Sequence, residues 1–292
     1  IGLCQQILKR TNKTRAAVFE PAAYSVVQFL LRIGAYGNFS GEVPPQLQDE
    51  INNAGAKTQD FIDRARAREV ACFNCGLRCR QAFPNSDGSY SFFKCQSWVS
   101  FMVATKIFDG DFATAAKNLC ERYGLDISTV SNLIGFAIDL YQKGILTKAD
   151  TDGMHLEWRN AEVVFTLIEK ITHREGIGDV LANGVYRAAR QIGKGAEEYA
   201  FTSKKLEDDL TMSVAAVPRI ALTMAVNDKG DSSRLDNITF SQVLPLSREQ
   251  KEAYLKEGWF GYPQEFEGYL LADFEPAATD YEGLCQFVSY DL

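Results

Sequence analysis

Along much of the chain, apolar residues return every three or four positions between shorter, polar, glycine-punctuated breaks, a pattern that predicts helices far more often than strands. The run GDFATAAKNLCERY, between Asp109 and Tyr123, has few strand formers and stops at Gly124, a residue suited to the left-handed position just past a helix. A second helix is predicted from about Ser128 to Lys143, where Val130, Leu133, Ile134, Ala137, Ile138 and Tyr141 recur at helical spacing before Gly144. A third runs from Ala161 to Arg174, with Val164, Leu167, Ile168 and Ile171 on one face, and REGIGD breaks it. Leu181, Val185, Ala188, Ala189 and Ile192 predict one further helix from Val180 to Ile192, ended by Gly193. Strand signals are sparse: SYSFF at 89–93, FVSY at 287–290, and a turn composition in NSDG at 85–88. Residues 229–280 read as loop and short helix. The expected fold class is mainly α.

Composition sharpens this picture in three ways. At 292 residues, with 46% hydrophobic and 24% charged, the chain can form one large domain or two closely packed ones around a full core. We expect two helical domains, 1–125 and 126–292. A net charge of -7 without a concentrated basic patch argues against nucleic acid or an anionic membrane as partner. The longest weakly polar run, MSVAAVPRIALTMAV at 212–226, is interrupted by Pro218 and Arg219 and is too short for a bilayer, so no transmembrane segment is expected. The opening IGLCQQILKR lacks an initiator Met and the regions of a signal peptide, which reads as an internal piece of a longer polypeptide. Seven cysteines, clustered rather than spread, point to a reducing cytoplasm and metal binding.

The cluster itself is ACFNCGLRCR at 71–80, which gathers Cys72, Cys75 and Cys79. Three thiols leave one over in any disulfide pairing, and a tetrahedral metal site or an iron–sulfur cluster needs a fourth ligand. Two segments share the form acid-x-x-Gly-Leu-(Asp or Cys): ERYGLD at 121–126 and DYEGLC at 280–285. Taken alone, the first reads as a helix stop, with Gly124 as C-cap and Leu125 packing back. The second ends in Cys285, an isolated cysteine and a candidate fourth ligand. A structural zinc site would also use four thiols, and CxxC alone occurs in thioredoxin-like proteins.

Together, CxxCxxxC, the first acid-x-x-Gly-Leu-Asp motif and the later one ending in cysteine resemble the tungstopterin aldehyde ferredoxin oxidoreductase family. GIGDVLANGVYRAARQIGKGAEEYA at 176–200 is similar to that family too. The resemblance implies the C-terminal helical domains of that fold, without the family's β-rich N-terminal domain or its natural C-terminal end. It implies one [4Fe-4S] cluster on Cys72, Cys75, Cys79 and Cys285. It also implies a tungsten (or molybdenum) bis-pyranopterin, with Mg as a bridge between the pterin phosphates. Glu121, Gly124, Leu125 and Asp126 would serve one pterin, and Asp280, Gly283 and Leu284 the other. Thiolates suit iron and sulfide, and carboxylates accept hydrogen bonds from a pterin's N–H edge. One departure is Glu121, where the family has Asp: the carboxylate is kept and its reach lengthened.

Cys95 separates two branches. The aldehyde-oxidising branch carries a PEYET-like stretch with a glutamate near the metal, whereas FKCQSW at 93–98 has no carboxylate. That branch's histidine is missing as well, since VNDKGDSSRLDN at 226–237 has none. His155 and His173 read as ordinary surface or packing residues, and Cys4 and Cys120 as core. A Lys-Cys pair at 94–95 resembles the active-site subunit of class II, tungsten-dependent benzoyl-CoA reductases, where that thiolate ligates tungsten. The implied reaction adds two electrons and two protons to an aromatic acyl-CoA, giving a cyclic diene, with electrons from an iron–sulfur subunit or ferredoxin. EPAAYSVVQFLLRIGAYGNF at 20–39 holds no histidine, so no proton donor is assigned. Aldehyde oxidation is the alternative activity, and a non-catalytic [4Fe-4S] electron carrier the alternative class.

Overall fold

The computed structural model describes residues 36–38, 61, 68–70, 80–85, 88–93 and 95–207. The chain divides into two compact units, one of Ile1–Ser25, Arg66–Lys94 and Val214–Leu292, the other of Val26–Ala65 and Cys95–Ser213.

In the first unit, β1 (Arg68–Val70), β2 (Arg80–Pro84) and β3 (Tyr90–Phe93) form an antiparallel sheet in that order. Val70 pairs with Arg80, and Gln81 with Phe93. The two ends of NSDG, Asn85 and Gly88, come together as its turn composition predicts. Asn85 N–H donates to Ser89 O at 2.8 Å, Gly88 N–H to Asn85 O at 3.1 Å, and Gly88 takes a φ of 83°. On β3, Ser91 is buried between exposed Tyr90 and Phe92, the two-residue alternation of a half-buried strand, whereas the adjacent Ala82 and Phe83 of β2 are both buried. β1 and β2 were not expected from the sequence. They are three and five residues long, so their stability comes from cross-strand pairing that local periodicity does not report.

The second unit is helical, as expected: α1 (Cys95–Thr105), α2 (Gly110–Tyr123), α3 (Ile127–Gln142), α4 (Ala161–His173), α5 (Ile177–Leu181) and α6 (Val185–Ile192). A 3-10 turn at Ala196–Tyr199 and a two-stranded ribbon, β4 (Thr202–Ser203) and β5 (Leu206–Glu207), follow. α1 and α3 lie at the centre of its core: Val99, Phe101, Met102, Val103 and Ala104 pack with Ile134, Phe136, Ile138 and Leu140, all fully buried. Each such side chain removed from water contributes about 1.5–3 kcal/mol, which outweighs any helix-propensity term. Gly135 allows the close approach, because a Cβ there would lie 3.1 Å from Ala104 O. Leu167 and Ile168 of α4 complete the core, and Phe112 meets Phe165 edge-on at 5.7 Å between ring centroids.

Caps fix the helix ends. Asp109 Oδ1 accepts from Phe112 N–H at 2.7 Å, and Asn160 Oδ1 from Val163 N–H at 3.2 Å. The predicted helix from Val180 to Ile192 is two helices, α5 and α6, interrupted at Ala182, Asn183 and Gly184. Gly184 has a φ of 86°, and Val185 N–H donates to Glu207 Oε1 at 2.7 Å, so a carboxylate on β5 takes the place of a local cap. The apolar spacing runs through the break, since Leu181 and Val185 are both buried. Among the described residues no helix is long and apolar enough to cross a membrane.

Candidate functional site

The residues at 121–126 form the junction between α2 and α3. α2 ends because Gly124 adopts a φ of 69°. Gly124 N–H then reaches Glu121 O at 3.1 Å and Leu125 N–H reaches Cys120 O at 2.9 Å, the paired bonds that satisfy the last carbonyls of a helix. α3 begins at Ile127, because Asp126 Oδ1 accepts from Thr129 N–H at 2.7 Å. Leu125 is half-buried, whereas Glu121, Gly124 and Asp126 are exposed. The cap reading of Gly124 is therefore realised, and it leaves two carboxylates fixed on either side of a glycine.

Beneath the junction lies a small charged cluster. Cys120 is fully buried, and its thiol is pushed up to about 12, first by burial and then by the Asp126 and Glu121 carboxylates, with Lys117 partly offsetting them. It is an inert core thiol, as its place on the apolar face predicts. Lys117 is also buried, 1% exposed, with Nζ 2.6 Å from Glu121 Oε1. Sequence reasoning missed this residue. The signal was present: Ala113, Ala116, Lys117 and Cys120 follow the core spacing of α2, so a charge occupies a core-periodic position.

The junction fits the edge of a flat heterocycle rich in N–H donors. A Cβ at Gly124 would meet nothing within 4 Å, so a ring can approach the backbone there. Glu121 and Asp126, which flank Gly124 in sequence and are exposed, carry carboxylate acceptors.

Other expected site residues are placed only in part or lie elsewhere. Cys95 is the first residue of α1, and its side chain is outside the described residues. Cys72, Cys75 and Cys79 belong to 71–79, which connects the paired residues Val70 and Arg80; these cysteines, with Cys4, Asp280, Gly283, Leu284, Cys285 and FVSY at 287–290, lie outside the described residues. Among the described residues no three His, Cys, Asp or Glu side chains gather as metal ligands. His155 pairs with Glu157 at 2.8 Å and His173 with Glu169 at 3.3 Å, each half exposed, which matches their reading as surface residues.

A family model described as aldehyde ferredoxin oxidoreductase, domains 2 and 3, matches residues 30–291. The chain belongs to this family. It is 29% identical over 192 residues to the tungsten-containing aldehyde ferredoxin oxidoreductase of Thermococcus kodakarensis, covering 61% of this chain and 28% of that protein. It is 41% identical over 88 residues to the aliphatic sulfonate oxidoreductase, WOR-like subunit, of Pyrococcus furiosus, covering 30% of this chain and 14% of that one. Among solved structures, the active site complex BamBC of benzoyl coenzyme A reductase, in complex with 1,5-dienoyl-CoA, matches with a TM-score of 0.66 and 28% identity. That match covers 94% of this chain and 43% of the solved one. The chain thus spans less than half the length of these aldehyde ferredoxin oxidoreductase relatives, and the matched domains are the second and third, as the resemblance implies.

Proposed function

We propose that this chain is the cofactor-holding helical part of a tungsten bis-pyranopterin oxidoreductase that reduces an aromatic acyl-CoA to a cyclic diene. The observation that carries this reading is the likeness, over nearly the whole chain, to an active-site complex holding a dienoyl-CoA. Cys95, standing where the aldehyde-oxidising branch has a glutamate, supports it. In this reading Glu121 and Asp126 bind and orient one pterin, with Gly124 giving it room and Leu125 anchoring the turn. Asp280, Gly283 and Leu284 do the same for the other, with Mg between the phosphates. Cys72, Cys75, Cys79 and Cys285 hold one [4Fe-4S] cluster, and the Cys95 thiolate takes one soft ligand position at tungsten. When bound, the tungstopterin supplies low-potential electron transfer, and the protein supplies position and electrostatics. An iron–sulfur subunit or ferredoxin delivers the electrons, in the cytoplasm.

A second reading, oxidation of aldehydes to carboxylic acids, is favoured by the activity named for the Thermococcus relative. The two separate in the full-length protein purified without oxygen. Tungsten and iron together, diene formation from benzoyl-CoA with a low-potential reductant, and loss of one sulfur neighbour from the tungsten X-ray absorption in Cys95→Ser support the proposal. Brisk aldehyde oxidation with an unchanged tungsten shell in Cys95→Ser selects the second reading. Iron without tungsten leaves an electron carrier, and a colourless, zinc-loaded protein removes the cluster altogether.

A further inference from the structure

The Lys117–Glu121 pair is hard to explain as a stabilising device. An ammonium 1% exposed has lost nearly all its hydration, and a well-packed apolar side chain at that position of the stripe formed by Ala113, Ala116 and Cys120 would avoid the loss. The pair also runs from Lys to Glu along the helix, the less favourable order. Glu121 stands in the last turn of α2, where the helix dipole disfavours a negative charge. Desolvation of Lys117 and the helix dipole at Glu121 therefore oppose the arrangement, against the attraction of the pair itself.

What the pair does achieve is geometric. Glu121 carries one methylene more than the aspartate it replaces, and its side chain is 47% exposed, so an untethered carboxylate would sample several rotamers. The Lys117 ammonium, itself buried, holds Oε1 at 2.6 Å in an ion pair. The rest of the Glu121 carboxylate stays at the surface, where it can accept from a ligand.

We propose that Lys117 is a positioning residue, acting through Glu121 to fix the carboxylate that receives the pterin's N–H edge. The proposal rests on the reading of the α2–α3 junction as a pterin site. Its chemistry is that of a charge-assisted hydrogen bond whose acceptor is held in place before the ligand arrives.

The test uses the full-length protein with Lys117→Met, Lys117→Arg, Glu121→Gln, Asp126→Asn and the double variant Lys117→Met/Glu121→Gln. Two quantities are read: the thermal midpoint, and the rate at which tungsten and pterin leave the folded protein. Lys117→Met is expected to keep or raise the midpoint while release quickens about tenfold or more, and Lys117→Arg to restore much of the retention. In the Glu121→Gln background, Lys117→Met should add little. A lowered midpoint with unchanged release overturns the proposal, as does full additivity in the double variant. Should Lys117→Met fail to fold, Lys117→Arg against Glu121→Gln decides, because slow release in Arg and fast release in Gln is still required. If Asp126→Asn and Glu121→Gln both retain cofactor like the parent, the pterin reading itself fails. If they lose it and Lys117→Met does not, only the role of Lys117 falls.

Discussion

Asp126 serves α3 as a cap and, in the proposed function, serves a pterin as an acceptor, and two substitutions pull these roles apart. Asp126→Ala removes the bond from Thr129 N–H, 2.7 Å long and solvent-exposed, and should cost about 1 kcal/mol. For a chain of 292 residues, at about 2.1 cal/mol/K of unfolding entropy per residue, that corresponds to a fall of about 1.5–2 °C in the melting midpoint. Asn caps nearly as well as Asp, so Asp126→Asn should lose only the charge–dipole contribution, about 0.3–1 kcal/mol. At the ligand the order differs. An amide presents an NH2 group toward a donor edge and forfeits a charge-assisted bond worth about 1.5–3 kcal/mol, so retention should drop by about one to two orders of magnitude in both variants. Differential scanning calorimetry gives the first quantity, and elemental tungsten with fluorescent pterin derivatives per folded chain gives the second. Asp126→Asn retaining parental tungsten and pterin would show that the carboxylate is a cap and nothing more.

Two further predictions probe the scaffold. Gly178→Ala would press a methyl into the Lys170 carbonyl and Ile171 N of α4, so it should destabilise by about 1–3 kcal/mol or more in chemical denaturation, and an unperturbed variant would mean α5 can slide. Lys106, whose ammonium lies 4.0 Å from the Trp158 ring centroid and 4.4 Å from that of Tyr36, is lowered to about 8 by burial, against the attraction of Asp139 and aided by Arg159 and Lys143. The native state then binds fewer protons than the unfolded chain between about pH 8 and 10.5, so Lys106 makes stability rise with pH across that window. Lys106→Met should remove this rise in melting scans, and an identical slope in both proteins would refute it.

The legibility of the fold followed the locality of its signals. α2, α3 and α4 start and stop within a residue of the sequence reading, because cap residues such as Asp109 and the glycine at 124 coincide with the ends of the apolar period. The break between α5 and α6 escaped it. Leu181 and Val185 keep helical spacing across Gly184, and the carboxylate that caps α6 comes from Glu207, distant in sequence. β1 and β2 escaped for a similar reason, since their partners define them. Within the candidate site, Glu121, Gly124, Leu125 and Asp126 were legible as a motif. Lys117 was not, because a lysine in a helix is ordinarily read as a solvated residue, and its burial depends on how α2 packs.

The motif also shows why a helix-cap reading and a ligand reading need not compete. At 121–126 the capping bonds are made within the junction: the carbonyls of Cys120 and Glu121 accept from Leu125 and Gly124, and one Asp126 oxygen accepts from Thr129. The unhindered face of Gly124 and the remaining oxygens of Glu121 and Asp126 are left at the surface, with Arg122 exposed among them. Because only Gly124 and Leu125 separate the end of α2 from the cap of α3, the turn that stops one helix and starts the next also sets the spacing of the two acceptors. Burial of Lys117 and Cys120 beneath it holds that spacing rigid. A junction whose bonds are already made can present acceptors to a ligand without rearranging, which is what tight retention of a large cofactor requires.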